Sequence, residues 1–478
     1  MKFSRRIVII GCGSVAQCAL PLLLELVDIA PSSITIIDFT DQRSKIQCFL
    51  DQGVNYNQIR ITKHNYTDVL ETHLSTGDML IDLAWYLDTA SLLDWCHYHS
   101  ILFINTSVEL WELQKKVPSC TDPRTLTLYH RQLILKQVTD QWKDKNGPTA
   151  IVDHGANPGL ISHFVKQALT DIAKQVLSQS IINDSQRKSA LEQALKNLDY
   201  AKLAYHLHVK TIHVSERDTQ LTDKPKKVNE FINTWSIEGL IEESIAPSEL
   251  GFGTHEFLIP DGTLRHKQGS GNQICLSEKG MNTWVRSWVP SGEIIGMVIR
   301  HGEAYSISNY LTVYQGDNLI YRPTVHYAYL PTDATMNSLH EFKMCGYKLQ
   351  SKQRILSNDI IKGEDELGCL LMGHDLKAWW TGSVLEIEES RKLVPGQNAT
   401  TVQVAIGVVS AALYAIRHPQ LGFCLPDYLN SEEILQIAKP YLGQYISRVV
   451  NWSPLDKADA FEVPSIPENE WQFMTFKI

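Results

Sequence analysis

Glu216, Trp235, the pair Glu242-Glu243, His301 and Glu303 are residue types that could do chemistry together. Glu216 stands in Val214-Ser215-Glu216-Arg217-Asp218, Trp235 in Asn233-Thr234-Trp235-Ser236, and His301 and Glu303 in Arg300-His301-Gly302-Glu303. An indole face ringed by carboxylates attracts a desolvated ammonium. The cation–π contact contributes roughly 0.5–2 kcal/mol. One carboxylate at about 4 Å contributes roughly 4 kcal/mol at an effective dielectric of about 20, before desolvation is subtracted. Carboxylates would therefore set charge preference and the indole would set geometry. An amino-acid substrate would call for clustered arginines to hold its carboxylate, and the stretch from Glu216 to Glu243 is not arginine-rich. Taken singly, each residue also has an ordinary reading: a core tryptophan, a solvated strand end, a charged loop, a structural histidine. No spacing rule joins them.

The second chemistry is better marked. The apolar run Ile7–Ile10 reads as a buried parallel strand and passes directly into Gly11-Cys12-Gly13-Ser14-Val15-Ala16. A helical apolar segment, 19–27, follows. This is the strand–turn–helix of a dinucleotide-binding fold. Gly11 permits the tight turn, Gly13 lets a pyrophosphate approach the backbone, and Ala16 lets the helix pack on the strand. The free N–H groups of Ser14, Val15 and the rest of the first turn face the phosphates. A second strand, 33–38, ends in Asp38, about twenty residues past the turn, where a carboxylate takes ribose hydroxyls and repels a 2′-phosphate. That favours NAD over NADP, with Arg43 nearby as a contrary sign.

Further strands are expected at 59–62, 78–84, 101–106 and 149–153, with helices at 44–52, 89–97 and 126–142 between them. Alternation of this kind means a doubly wound parallel sheet. Its carboxyl ends should bring Asp88, Asn105, Glu109 and the loop after Val152 to the cofactor cleft. His154-Gly155-Ala156-Asn157-Pro158-Gly159 is the hinge into a second, α+β domain. There, helices at 159–177 and 181–205 precede strand-like alternation to about residue 350, a mostly antiparallel sheet. Asn398 or Thr400 caps an apolar helix, 402–417, expected at the domain interface, and a last helix runs 431–438. The expected domains are 1–156, nucleotide-binding; 157–392, substrate-binding and dimerising; and 393–478, helices packing back on the interface.

The chain has 478 residues, 44% hydrophobic and 20% charged, within the range of soluble globular proteins. A formal net charge of −9 argues against general nucleic-acid binding and suits a cationic substrate. Nine scattered cysteines without a Cys-x-x-Cys pair read as reduced thiols in a cytoplasm, with no metal site signalled. Lys2, Arg5 and Arg6 before an apolar run resemble a secretion signal, but Gly11 and Gly13 break the run at once. The apolar stretch 402–416 reads as too short to span a bilayer, so no membrane partner is expected.

Together the motif 11–16, Asp153-His154-Gly155-Ala156-Asn157-Pro158-Gly159, Glu216-Arg217-Asp218-Thr219-Gln220, Asn233-Thr234-Trp235-Ser236, Arg300-His301-Gly302-Glu303 and Pro395-Gly396-Gln397-Asn398-Ala399-Thr400 resemble the bacterial homospermidine synthases, over residues 5 to 425. The resemblance implies a Rossmann domain with an inserted α+β domain of the saccharopine dehydrogenase kind, a homodimer, and NAD kept as a prosthetic hydride carrier. It implies aminobutyl transfer between two putrescines, or from spermidine to putrescine, giving homospermidine and ammonia, or diaminopropane. Trp235 would hold the cationic intermediate; Glu216, Glu243, His301 and Glu303 would bind ammonium ends or move protons; Asn157 would set the amine beside the nicotinamide. Cys12 is a departure without consequence, and either member of Glu242-Glu243 could face the site. Two other functions stay open: a saccharopine-type or carboxynorspermidine-type dehydrogenase with net NAD(P)H turnover, and an NAD-binding protein without catalysis.

Overall fold

The computed structural model describes residues 1–111, 121–271, 273–456 and 467–478. Strands β1 (Ile7–Ile10), β2 (Ile34–Asp38), β3 (Asn55–Gln58), β4 (Met79–Asp82), β5 (Leu102–Asn105) and β6 (Ala150–Ile151) form a parallel sheet in the order 6-5-4-1-2-3. Every residue of β1 is buried, because helices cover both faces of such a sheet. A seventh strand, Phe423–Cys424, adds to β6 from far along the chain. The inserted domain leaves after β6 and the chain returns to this sheet at its edge.

Three expected elements lie elsewhere. The third strand is Asn55–Gln58, not 59–62. It is an edge strand with no buried face to fill, so its register on β2 (Thr35 opposite Asn55) is satisfied by polar residues, while Ile59 and Ile61 pack on the apolar cluster beyond its end. The expected helix at 44–52 is a single 3-10 turn and the short helix Gln47–Leu50. The expected helix at 181–205 is two, Ser185–Asn197 and Tyr200–Leu207. Leu198 turns left-handed at φ 53° and Asp199 caps the second helix through the Lys202 amide.

The second domain is built on a ten-stranded sheet. Its path is Thr263–Arg265, Gln273–Lys279, Pro247–Gly251, Thr324–Leu330, β7 (Thr211–Asp218), Glu364–His374, Lys377–Glu386 and Gln444–Val450; the hairpin Trp284–Val289/Gly292–Met297 joins through Thr324–Leu330. All pairs are antiparallel except Thr324–Leu330 on β7. Segment 393–478 thus holds more than helices: it supplies one strand to each sheet.

The apolar helix is Ala399–Arg417, 19 residues, which is long and apolar enough to cross a membrane, contrary to the shorter span expected. In the fold, 89% of its apolar window is buried in protein. It packs against Ser14–Leu26 on one side and the hairpin 364–386 on the other. Gly407 makes this possible: a Cβ there would lie 2.1 Å from the Gly155 carbonyl oxygen. Asn398 is the cap, accepting from the Thr401 amide at 2.8 Å.

Candidate functional site

The nucleotide turn has the shape a dinucleotide needs. Gly11 sits at φ 92°, and a Cβ on it would meet the Leu83 carbonyl oxygen at 2.8 Å. A Cβ on Gly13 would meet nothing within 4 Å, so open space lies over the turn. The helix Ser14–Leu26 begins there with no side-chain cap, leaving the first-turn N–H groups at Ser14 and Val15 free for an anion. Asp38 stands at the end of β2. Its carboxylate accepts from the Cys12 amide at 2.7 Å and from the Thr40 amide and hydroxyl, both at 2.8 Å. It therefore holds the turn as well as facing it. Arg43 is bound to Asp41 at 2.7 Å, so its charge is compensated away from Asp38.

Two of the expected cleft residues serve the scaffold. Asp88 caps the helix Thr89–His99 by accepting from the Ser91 amide and hydroxyl, and it borders a surface cleft of about 530 Å³ with Trp95 and Tyr98. Asn105 is buried and bridges β5 to the hinge. It donates to the Ser107 carbonyl at 2.7 Å and accepts from the Asp153 amide at 2.9 Å.

Beyond the hinge the acidic residues converge. Gly155 donates its N–H to the Pro158 carbonyl at 2.8 Å, and this tight turn projects Asn157 toward β7. The Asn157 amide donates to Glu216 at 2.7 Å and to the Tyr327 hydroxyl at 2.5 Å; Tyr327 in turn donates to Glu216. Glu216 is 3% exposed. Burial pushes its carboxyl up to about 7 against the pull of the Tyr327 hydrogen bond. Tyr327 stacks on Tyr329 at 5.3 Å between centroids, and the Tyr329 hydroxyl receives the Trp235 indole N–H at 3.1 Å. Trp235 is therefore half-buried, with its ring direction fixed.

His301 lies 4.2 Å from the Tyr327 ring and between two carboxylates, Glu303 at 3.1 Å and Glu243 at 3.2 Å. Burial disfavours its charge, but the two glutamates outweigh that and hold its pKa well above the ordinary histidine value. The two adjacent glutamates have different partners. Glu242 is bound by Arg300 at 2.5 Å and by Arg131, whereas Glu243 faces His301.

Three buried carboxylate oxygens here have no hydrogen-bond partner: Oε2 of Glu303, Oε2 of Glu109 and Oδ1 of Asp365. Burial raises Glu109 to about 7, helped by Glu242 and opposed by Arg131. Asp153 is raised to about 8 by burial and by Glu303. Asp365 is held well above the carboxylate range by burial, Glu216 and Asp218. Glu109 Oε2 has the Arg131 guanidinium at 3.8 Å; the oxygens of Glu303 and Asp365 ask for donors, which an ammonium group carries.

Two family models divide the chain at the hinge: the saccharopine dehydrogenase NADP binding domain matches residues 7–151 and the saccharopine dehydrogenase C-terminal domain residues 155–450. The chain is 36% identical to the homospermidine synthase of Mesorhizobium japonicum, over 98% of this chain and 95% of that one. The chain belongs to the homospermidine synthase family. The homospermidine synthase of Blastochloris viridis is likewise 36% identical, over 98% and 96% of the two chains. The crystal structure of the homospermidine synthase from Legionella pneumophila in complex with NAD superimposes with a TM-score of 0.88 at 37% identity, covering 100% of this chain and 98% of that one.

For a homospermidine synthase family member, the structure adds residues that sequence reasoning did not find: Tyr327, Tyr329, Asp365 and Arg131. Asp365 lies in three consecutive acids, Glu364-Asp365-Glu366, which by themselves read as a solvated strand end. The tyrosines carried none, since Tyr327 and Glu216 are 111 positions apart.

Proposed function

We propose that this chain joins two putrescines into homospermidine with release of ammonia, using NAD as a hydride carrier that each turnover regenerates. The observation that carries the reading is the pair of buried carboxylate oxygens without a hydrogen bond on Glu303 and Asp365, close to Tyr327 and Tyr329, with Trp235 bonded to the Tyr329 hydroxyl. The wall and the acids suit a diammonium ligand. The residues of the nucleotide turn fit a dinucleotide: Gly11, Gly13, Ser14 and Val15 at the pyrophosphate and Asp38 at the ribose.

When bound, NAD supplies a nicotinamide that accepts a hydride from an amine-bearing carbon and later returns it. The chain's own groups do the rest. Glu303 and Asp365 take the ammonium ends. Glu216, titrating near neutrality, takes a proton from the donor amine, since only the neutral amine can give up a hydride. It returns that proton to the departing ammonia. Asn157 and Tyr327 keep the accepting oxygen of Glu216 in place. His301 stays protonated and neutralises part of the charge of Glu243 and Glu303, so the site holds an excess of negative charge without unbalanced repulsion. Trp235 lies over the iminium that the second putrescine attacks. The amine then formed is a new C–N bond in place of the lost one, and no net oxidation remains.

A saccharopine-type substrate would bring a carboxylate. Arg131 and Arg300, the buried guanidinium groups here, share Glu242, and Arg131 also pairs with Glu109 at 3.8 Å, so both are already engaged by carboxylates of the chain. The experiment is to supply NAD and putrescine deuterated at its amine-bearing carbons. Homospermidine that keeps every deuteron, ammonia in step with it, and no free NADH are expected. An aldehyde with stoichiometric NADH would overturn the reading in favour of a net dehydrogenase. The reading includes a homodimer in the cytoplasm, supported by the family resemblance; sedimentation at the monomer mass would remove the dimer.

A further inference from the structure

Trp85 lies on the loop that follows β4, in the nucleotide-binding domain, and Trp235 lies in the substrate domain. They meet at one point. Gly239 is in the first turn of the helix Ile237–Ile245, where its amide is capped by Ser236. A Cβ on Gly239 would lie 2.5 Å from Cη2 and Cζ2 of Trp85 and 2.9 Å from Cζ3 of Trp235. Both indoles press on the same bare α-carbon, and both are half-buried. Glycine within a helix costs about 1 kcal/mol relative to alanine, so local propensity works against it here and the close approach of the rings accounts for it. The next residue, Tyr86, has φ 64°, an uncommon backbone state for a bulky side chain.

The same short loop touches the nucleotide turn at its other end, where the Leu83 carbonyl packs under Gly11. The aromatic series therefore runs from Trp85 through Trp235 to Tyr329 and Tyr327.

We infer that Trp85 is a second aromatic wall of the amine entrance, facing the same passage as Trp235, and that the absence of a side chain at Gly239 sets how wide that passage is. The ligand class is an alkyl ammonium. An ammonium passing Gly239 has two indoles within reach, whereas Trp235 alone offers one. This rests on the amine-transfer reading above and adds a residue from the other domain to it.

The test uses the full chain and three variants, Trp85→Ala, Trp85→Phe and Gly239→Ala. Putrescine binding is read by calorimetry on the protein without added NAD, NAD binding is read separately, and KM and kcat are read for putrescine and for spermidine as donors. Losing one cation–π face should weaken putrescine binding and raise KM about tenfold in Trp85→Ala, with NAD affinity within about twofold of the unmodified protein and most of the effect recovered in Trp85→Phe. Gly239→Ala should raise KM for spermidine more than for putrescine, because a narrower passage discriminates by bulk. Equal diamine binding in Trp85→Ala overturns the inference. So does a loss of NAD affinity as large as the loss of amine affinity, which would make the loop a cofactor support. Equal KM ratios in Gly239→Ala overturn the part about width. If the unmodified protein makes homospermidine and the variants behave as it does, the inference alone fails. If it binds no diamine, the reading beneath it fails as well.

Discussion

Asp38 does two jobs with one carboxylate: it accepts from the Cys12 amide, fixing the nucleotide turn, and it places negative charge where a 2′-phosphate would come. Arg43 is tied to Asp41, and Lys45 is the cation whose field reaches Cys12 beside Asp38, so it offsets only part of the repulsion. NAD should therefore bind at least about tenfold more tightly than NADP, the equivalent of 1.4 kcal/mol, although the family model that matches the domain is described as NADP-binding. Asp38→Asn keeps hydrogen-bonding capacity and removes the charge, so it should narrow the gap while leaving NAD affinity close to normal. Equal affinity in the unmodified protein, by fluorescence titration, would contradict this. Trp235→Ala should leave the melting temperature and NAD binding nearly unchanged and lower kcat/KM about 30-fold, the loss of about 2 kcal/mol of desolvated cation–π contact. Trp235→Phe should recover part of it. A core tryptophan would instead show a loss of about 3–5 kcal/mol of stability, readable by urea unfolding with activity per folded molecule unchanged.

At the scale of elements, the helix Ala399–Arg417 is anchored by Asn398, which is 1% exposed. Its side chain accepts from Thr401 and donates to the carbonyls of Thr234 and Leu356, both at 2.7 Å. Thr234 precedes Trp235, so this cap also fixes the strand end that presents the indole. Asn398→Ala removes the cap, costing about 1 kcal/mol, and leaves the buried Leu356 carbonyl without that donor, costing about 1–3 kcal/mol, while the Thr234 carbonyl keeps the Thr401 hydroxyl at 3.5 Å. A total loss of about 2–4 kcal/mol is expected in urea unfolding, and Asn398→Ser should restore only the cap. The nucleotide-binding half was legible because its signals are local: an apolar run, two glycines, an acid about twenty residues on. The edge strand Asn55–Gln58 was not, because nothing apolar marks a strand with no buried face. The break at Leu198 was not, because a left-handed leucine has no residue-type signature. In the second domain the helix Leu160–Ser178 was legible behind Pro158, but beyond residue 206 only alternation was, and the helices Ile237–Ile245, Gly302–Tyr310 and Asp333–Met344 were hidden by it. Of the site, Glu216, Trp235, Glu243, His301 and Glu303 were visible as types within motifs. Tyr327 and Asp365 were not, since their partners come from strands that are neighbours only in the folded sheet.

For the molecule as a whole, burial sets a pH profile. Glu216 and Glu109 are raised to about 7, and Asp153 and Asp82 to about 8, each chiefly by burial. Their folded values exceed the unfolded ones, so the native state binds more protons and stability falls as pH rises through them. The buried His154, His326 and His374 are lowered to about 4 by burial. They act oppositely, but only between about pH 4 and the unfolded histidine value near 6.5. Between pH 6.5 and about 8 the carboxyls outweigh these histidines; above that Lys166, lowered to about 8 by burial, acts in the opposite direction. The melting temperature of the ligand-free protein should decline from pH 6.5 to 8, and Asp153→Asn should flatten that decline. A melting temperature that rose across this window would contradict the buried acids' protonation.

The strand Phe423–Cys424, hydrogen-bonded beside β6, also constrains how the polypeptide is made. On a ribosome the N-terminal sheet emerges early, yet its last strand is still unsynthesised until all of the inserted domain except its edge strand Gln444–Val450 has followed. During that interval β6 has a bare edge, which is the kind of surface that recruits foreign strands. Nascent chains arrested before residue 424 should therefore be protease-sensitive around 149–152, and those arrested well past it should be protected.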